Sequence, residues 1–101
     1  MEIDRELILI GSSREADFIL QGRSVSRLHA RIRAEGSRIT LTDLNSLNGT
    51  FVNGGRITPN REVPLENGDR VTFADVEYQL NILQFGSERD RLDFSRRRER
   101  K

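Results

Sequence analysis

Apolar and polar residues alternate or cluster in short stretches along most of this chain, and no stretch of residues 1–83 carries the i, i+3, i+4 stripe of an amphipathic helix. Glu6 to Ile10 (ELILI) is a short apolar run stopped by Gly11, and Asp17 to Leu20 (DFIL) is a second. Both read as buried strands. From Leu28 to Glu35 the period is two: Leu28, Ala30, Ile32 and Ala34 fall on one face, and His29, Arg31, Arg33 and Glu35 on the other. Such alternation predicts a strand with one side in water. Glu35-Gly36-Ser37 closes a hairpin, and on the return strand Ile39, Leu41 and Asp43 face opposite to Thr40, Thr42 and Leu44.

Two Asn-Gly pairs, Asn48-Gly49 and Asn53-Gly54, bracket Thr50, Phe51 and Val52. Asn and Gly enter the left-handed backbone region at low cost, so each pair marks a sharp reversal between β segments, with a short strand between them. Ser46 to Gly49 is then a rigid loop presenting small polar groups and amides. Short β pieces follow around Ile57 and Val63, beside Pro59 and Pro64, which belong at edges or turns because proline cannot donate to a ladder. Glu66 to Asp69 is a further turn, and Arg70–Ala74 and Val76–Leu83 are two longer strands joined near Asp75. Many short strands with polar turns predict an all-β sandwich.

Four pieces stand in register here: Ile10-Gly11; SRLHARI from Ser26; TDLNSLNGTFVNG from Thr42; and PLENGDRVTF from Pro64. In order and spacing they resemble the forkhead-associated (FHA) domain, over roughly residues 8 to 83. The resemblance implies a β-sandwich of two twisted, mostly antiparallel sheets and the binding of phosphothreonine peptides in Ser/Thr kinase signalling. It implies that Ser26 donates a hydroxyl to phosphate and that Asn48 reads the peptide main chain, and Arg27, next to Ser26, can supply charge. It makes His29 a brace for the loop carrying Ser26, with Gly11, Gly49, Asn53 and Gly54 as backbone-shape residues. Two positions depart from the family pattern. The phosphate-gripping arginine after Ile-Gly is Ser12, and the usual Ser or Thr before Asn48 is Leu47. Arg14, two residues beyond Ser12, is the substitute cation, or else it pairs with Glu15 or Asp17 on a solvated loop.

The resemblance further implies two strands before the one ending at Ile10-Gly11, whereas only MEIDR precedes it here. An N-terminally shortened sandwich would leave Val76–Leu83 with an open edge, unless residues 1–5 or another chain cover it. That edge would invite weak homodimerisation.

Composition narrows the chemistry. The 101 residues contain no cysteine, which removes disulfides, thiolate metal sites and cysteine nucleophiles. One histidine, without a nucleophile and carboxylate at credible spacing, argues against an enzyme, and no metal or cofactor is expected. Asp43 and Asp69 fall at strand-end and turn positions, where carboxylates ordinarily cap amides. No apolar run is long enough to span a bilayer and MEIDRE is too acidic for a secretory signal, so a cytoplasmic protein without membrane contact is expected. The net charge of +1 is unevenly placed. Residues 86–101 hold seven Arg or Lys against four acids, so the domain is expected over 1–85, with 86–101 a charged, disordered linker or a frayed helix. A near-neutral body without stacked aromatics does not suit nucleic acid. The functional reading is a phosphopeptide-recognition module; the alternative is a degenerate member used for phosphate-independent assembly.

Overall fold

The computed structural model describes residues 2–3, 7–36, 38–83 and 91–96 of the chain, with side chains for 7–36 and 38–81. Among these residues are eleven strands: β1 Glu2–Ile3, β2 Leu7–Gly11, β3 Phe18–Ile19, β4 Ala30–Glu35, β5 Arg38–Asp43, β6 Thr50–Val52, β7 Gly55–Arg56, β8 Val63–Pro64, β9 Arg70–Phe73, β10 Val76–Leu83 and β11 Arg91–Arg96. They form two sheets, one ordered β1-β11-β10-β9-β6-β7 and the other β3-β2-β4-β5-β8. All pairings are antiparallel except β2 with β3. The fold is therefore the all-β sandwich expected from the alternation.

Register explains which side chains meet between the sheets. In the five-stranded sheet Ile8, Ile32 and Leu41 stand abreast, and in the other Val71 pairs with Tyr78 and Phe73 with Val76. These residues are buried, together with Ile10, Phe18, Leu20, Ile39, Ile57, Leu65 and Leu80. Phe73 lies at the centre, edge-on to His29 at a ring-centroid distance of 5.9 Å and tilted against Tyr78 at 6.2 Å. The threonines Thr40 and Thr42 are buried as well, although they face away from the core. Their register partners are Arg33 and Arg31, whose long stems can cover them, and the Thr40 hydroxyl donates to Glu62 at 3.4 Å.

Three local expectations differ from the structure. Asn53-Gly54 is a two-residue hairpin turn with φ of 50° and 86°, and Val52 pairs with Gly55 across it. Asn48-Gly49, by contrast, is not a hairpin: it ends a loop that carries the chain from β5 in one sheet to β6 in the other. Leu28 is 42% exposed and precedes β4, because His29, its neighbour, turns into the core instead. The third difference concerns residues 91–96, expected in the charged tail.

These residues form β11, with Phe94 opposite Leu80 and Leu92 opposite Ile82, and β1 pairs with the far side of β11. The edge of β10 expected to be open is thus occupied, and its ladder offers no free side to a second copy. Leu92 and Phe94 are spaced two apart, which suits a strand and not a helix. The rest of the tail, 86–90 and 97–101, lies outside the described residues.

Truncating the central aromatic should test the packing. Phe73→Ala removes a fully buried ring and is expected to lower stability by about 3–5 kcal/mol in urea unfolding, with an unchanged denaturant slope. A loss below about 1 kcal/mol would contradict a central role for Phe73.

Candidate functional site

Three loops meet at one end of the sandwich: 11–16 after β2, 22–27 before β4, and 44–49 between β5 and β6. Main-chain hydrogen bonds fasten the first two, from Ser12 N to Ser26 O at 3.0 Å and from Ser13 N to Arg27 O at 3.1 Å. Gly11 permits this contact, since a Cβ there would stand 2.0 Å from Arg27 O. The second and third loops are joined by side chains. Leu47 N donates to Ser26 Oγ at 3.1 Å, and Asn48 Nδ2 donates to Ser24 O at 2.8 Å.

His29 ties this arrangement to the core. Its ring is fully buried, Nδ1 accepts from Ser26 N at 3.0 Å, and Nε2 donates to Gly49 O at 2.9 Å. Since an amide can only donate and a carbonyl only accept, the imidazole is neutral with its proton on Nε2. Gly49 O also accepts from Ala74 N at 2.9 Å, so one carbonyl receives donors from both sheets. Gly49 has φ +90°, and a Cβ there would meet the Arg56 guanidinium at 2.7 Å from Nε.

Asp43 organises the third loop from beneath. Its Oδ2 accepts from Ser46 N at 3.0 Å, and its Oδ1 accepts from the Ser46 hydroxyl at 2.5 Å and the Thr50 hydroxyl at 2.6 Å. The Ser46 oxygen in turn accepts from Gly49 N at 3.0 Å. Burial pushes the Asp43 carboxyl up, but hydrogen bonds from the hydroxyls of Ser46 and Thr50 and from the Ser46 amide outweigh it, so the pKa lies below its ordinary 3.8. Asp69 has the parallel role at the other end of β6, accepting from Glu66 N at 2.7 Å and from Asn53 Nδ2 at 3.0 Å.

The structure brings Ser12, Ser26, Arg27, Leu47 and Asn48 into this cluster, with Arg14 at the tip of the turn closed by Ala16 N on Ser13 O. Arg14, Arg27, Leu47 and Asn48 are exposed, while Ser12 and Ser26 are half-buried. Among the described residues the ion pairs are Arg33 with Glu35 and with Glu62. Arg14 pairs with neither Glu15 nor Asp17. Asn53 and Gly54 stand apart from the cluster, at the far end of β6, where Asn53 Oδ1 accepts from Arg70 N. Sequence reasoning missed Arg56. The two-residue turn at Asn53-Gly54 places Arg56 opposite Phe51, and the return of β7 toward Gly49 was the available signal.

Comparison with known proteins gives a consistent result. The FHA domain family model matches residues 8–74. FhaA, an FHA domain-containing protein of Mycobacterium tuberculosis, is 41% identical over 69 residues, 68% of this chain and 12% of that protein. A solved structure from a study of phosphothreonine-dependent FHA domain interactions superposes with a TM-score of 0.75 at 32% identity, covering 82% of this chain and 83% of the other. EmbR of the same bacterium, in complex with a low-affinity phosphopeptide, gives 0.70 at 33% identity, over 75% of this chain and 20% of that one. The chain thus spans a small part of FhaA.

The depressed Asp43 pKa sets a pH test. Stability from this carboxylate is fully present above its ordinary pKa of 3.8 and is lost as the pH falls from there through the lower folded value. Asp43→Asn is expected to cost about 1.5–3 kcal/mol at neutral pH. In urea unfolding the gap to the parent should narrow below about pH 4. A gap of constant size down to pH 2 would show that charge is not involved.

Proposed function

This chain belongs to the FHA domain family, and from that premise we propose that it is a non-catalytic module that recognises phosphothreonine in a protein partner, in cytoplasmic Ser/Thr kinase signalling. The observation carrying this reading is the state of Ser26. Its Oγ accepts the Leu47 amide at 3.1 Å, which leaves the hydroxyl proton to be donated to an anion. A phosphate dianion needs several such donors together with positive charge. Exposed Arg27, next to Ser26, supplies one guanidinium. Arg14, in the loop stapled to residues 26 and 27, supplies the second in place of the arginine that Ser12 replaces. The Ser12 hydroxyl adds a donor.

Asn48 takes the peptide backbone in this reading. One amide hydrogen is committed to Ser24 O, which fixes the side chain and leaves Oδ1 and the second hydrogen for the ligand. The Asp43 and His29 networks hold the loops in place before any ligand arrives, so little ordering entropy remains to be lost on binding.

Fluorescence anisotropy with a phosphothreonine peptide and its unmodified twin tests the proposal. The phosphorylated peptide is expected to bind in the micromolar range, about −8 kcal/mol. Ser26→Ala, Arg27→Ala and Arg14→Ala should each weaken binding several-fold or more, since a charge-assisted hydrogen bond contributes about 1.5–3 kcal/mol. Equal affinity for both peptides, or indifference to both arginines, would point instead to phosphate-independent assembly.

A further inference from the structure

We propose that Thr58 is a phosphorylation site for a proline-directed Ser/Thr kinase, and that the phosphate it receives is held by Arg56. Among the described side chains every other serine, threonine or tyrosine is buried or half-buried, and Thr58 alone stands exposed. Its hydroxyl has no hydrogen-bond partner, so no bond of the fold is lost when it is esterified. The next residue is Pro59. Proline restrains the residue before it to extended conformations, the form in which a kinase cleft takes its substrate. Over residues 58–62 the main chain is fastened once, from Asn60 N to Asp43 O at 2.8 Å, so the segment can be lifted into a cleft with the loss of one main-chain hydrogen bond.

In the transfer, Thr58 Oγ attacks the γ-phosphorus of ATP, the bond from that phosphorus to the β-phosphate oxygen breaks, ADP leaves, and the hydroxyl proton passes to the base of the kinase. Arg56 is placed to receive the product. Ile57 is buried, whereas Arg56 and Thr58 on either side of it are exposed, so the two-residue period of an extended chain puts their side chains on one face. Positions two apart on a strand are separated by about 6–7 Å, within the reach of an arginine. Neither Arg56 nor Arg61, three residues beyond Thr58, is held in an ion pair, so both can turn to a new dianion. Arg56 lies against Gly49, its Nε 2.7 Å from where a Cβ of that residue would stand. Ile57 N donates to Thr50 O at 2.9 Å, which sets Thr58 beside the end of the 44–49 loop. A phosphate that draws the guanidinium toward Thr58 therefore changes the surroundings of Gly49, next to Asn48.

The test incubates the full folded chain with ATP and a proline-directed Ser/Thr kinase, and reads the phosphate by intact-mass and fragment spectra. One phosphate on Thr58 is expected in the parent and none there in Thr58→Val. A folded parent left unmodified at Thr58 overturns the assignment. Phosphorus NMR then follows the second ionisation of the attached phosphate, whose ordinary pKa is about 6. Arg56 should hold that pKa lower in the parent than in Arg56→Gln by about 0.3–0.5, the scale of an exposed ion pair. The Gly49 amide resonance should move on phosphorylation of the parent and stay in place in Arg56→Gln. Equal phosphate titrations in the two chains, or a Gly49 amide that does not move in the parent, overturn the role of Arg56. Both substitutions lie at the surface, so the variants should melt with the parent.

Discussion

The site depends on how one buried imidazole satisfies its two nitrogens. His29 has no contact with solvent, so an unpartnered ring nitrogen would cost on the order of 1–3 kcal/mol. It accepts from the Ser26 amide on one side and donates to the Gly49 carbonyl on the other. Those two atoms belong to different loops, so the ring sets the separation between the strands of chain that carry Ser26 and Asn48. Phe73 braces the ring edge-on from the opposite sheet. The loop geometry is therefore tied to the hydrophobic core.

Around this link the polar groups of the loops are used in two layers. Beneath, Asp43 collects three donors and is itself nearly inaccessible, which makes it a structural anion out of a ligand's reach. Above it, Ser26 and Asn48 each spend part of their hydrogen-bonding capacity on a neighbouring loop and retain part. The division follows burial: groups without solvent access must be saturated, and only those at the rim can hold capacity in reserve.

The strands were legible where the signal was local. Asn53-Gly54 gave a two-residue turn because both residues tolerate positive φ, and Gly36 did the same between β4 and β5. Asn48-Gly49 looked identical in sequence but joins different sheets, a fact decided by tertiary contacts such as Ala74 N on Gly49 O. The alternation through Leu28 failed for a similar reason, since His29 finds its partners only in the folded chain. The grouping of Ser26, Arg27 and Asn48 was readable from motif spacing. Arg56 was missed although its signal was local, since the Asn53-Gly54 hairpin returns β7 along β6 and brings Arg56 back toward Gly49. In the tail, charge concealed the two-residue spacing of Leu92 and Phe94, and a strand there requires the bare edge of β10, which local composition cannot reveal.

The strand completing that edge has a kinetic consequence. Glu2 pairs with Asp93, a contact between segments about ninety residues apart, whereas β10 and β9 meet through a turn of two residues. Closing so long a loop carries an entropic barrier that nearest-neighbour hairpins do not face, so β1 should dock after the meander of β9, β10 and β11 has formed, in which Leu83 pairs with Arg91. During that interval the outer ladder of β11 is unpaired, and the same chain passes through a state able to add a foreign strand. In the folded molecule β1 covers that ladder at Leu92 and Asp93, so the stretch of β11 open to a foreign strand is longest before β1 docks.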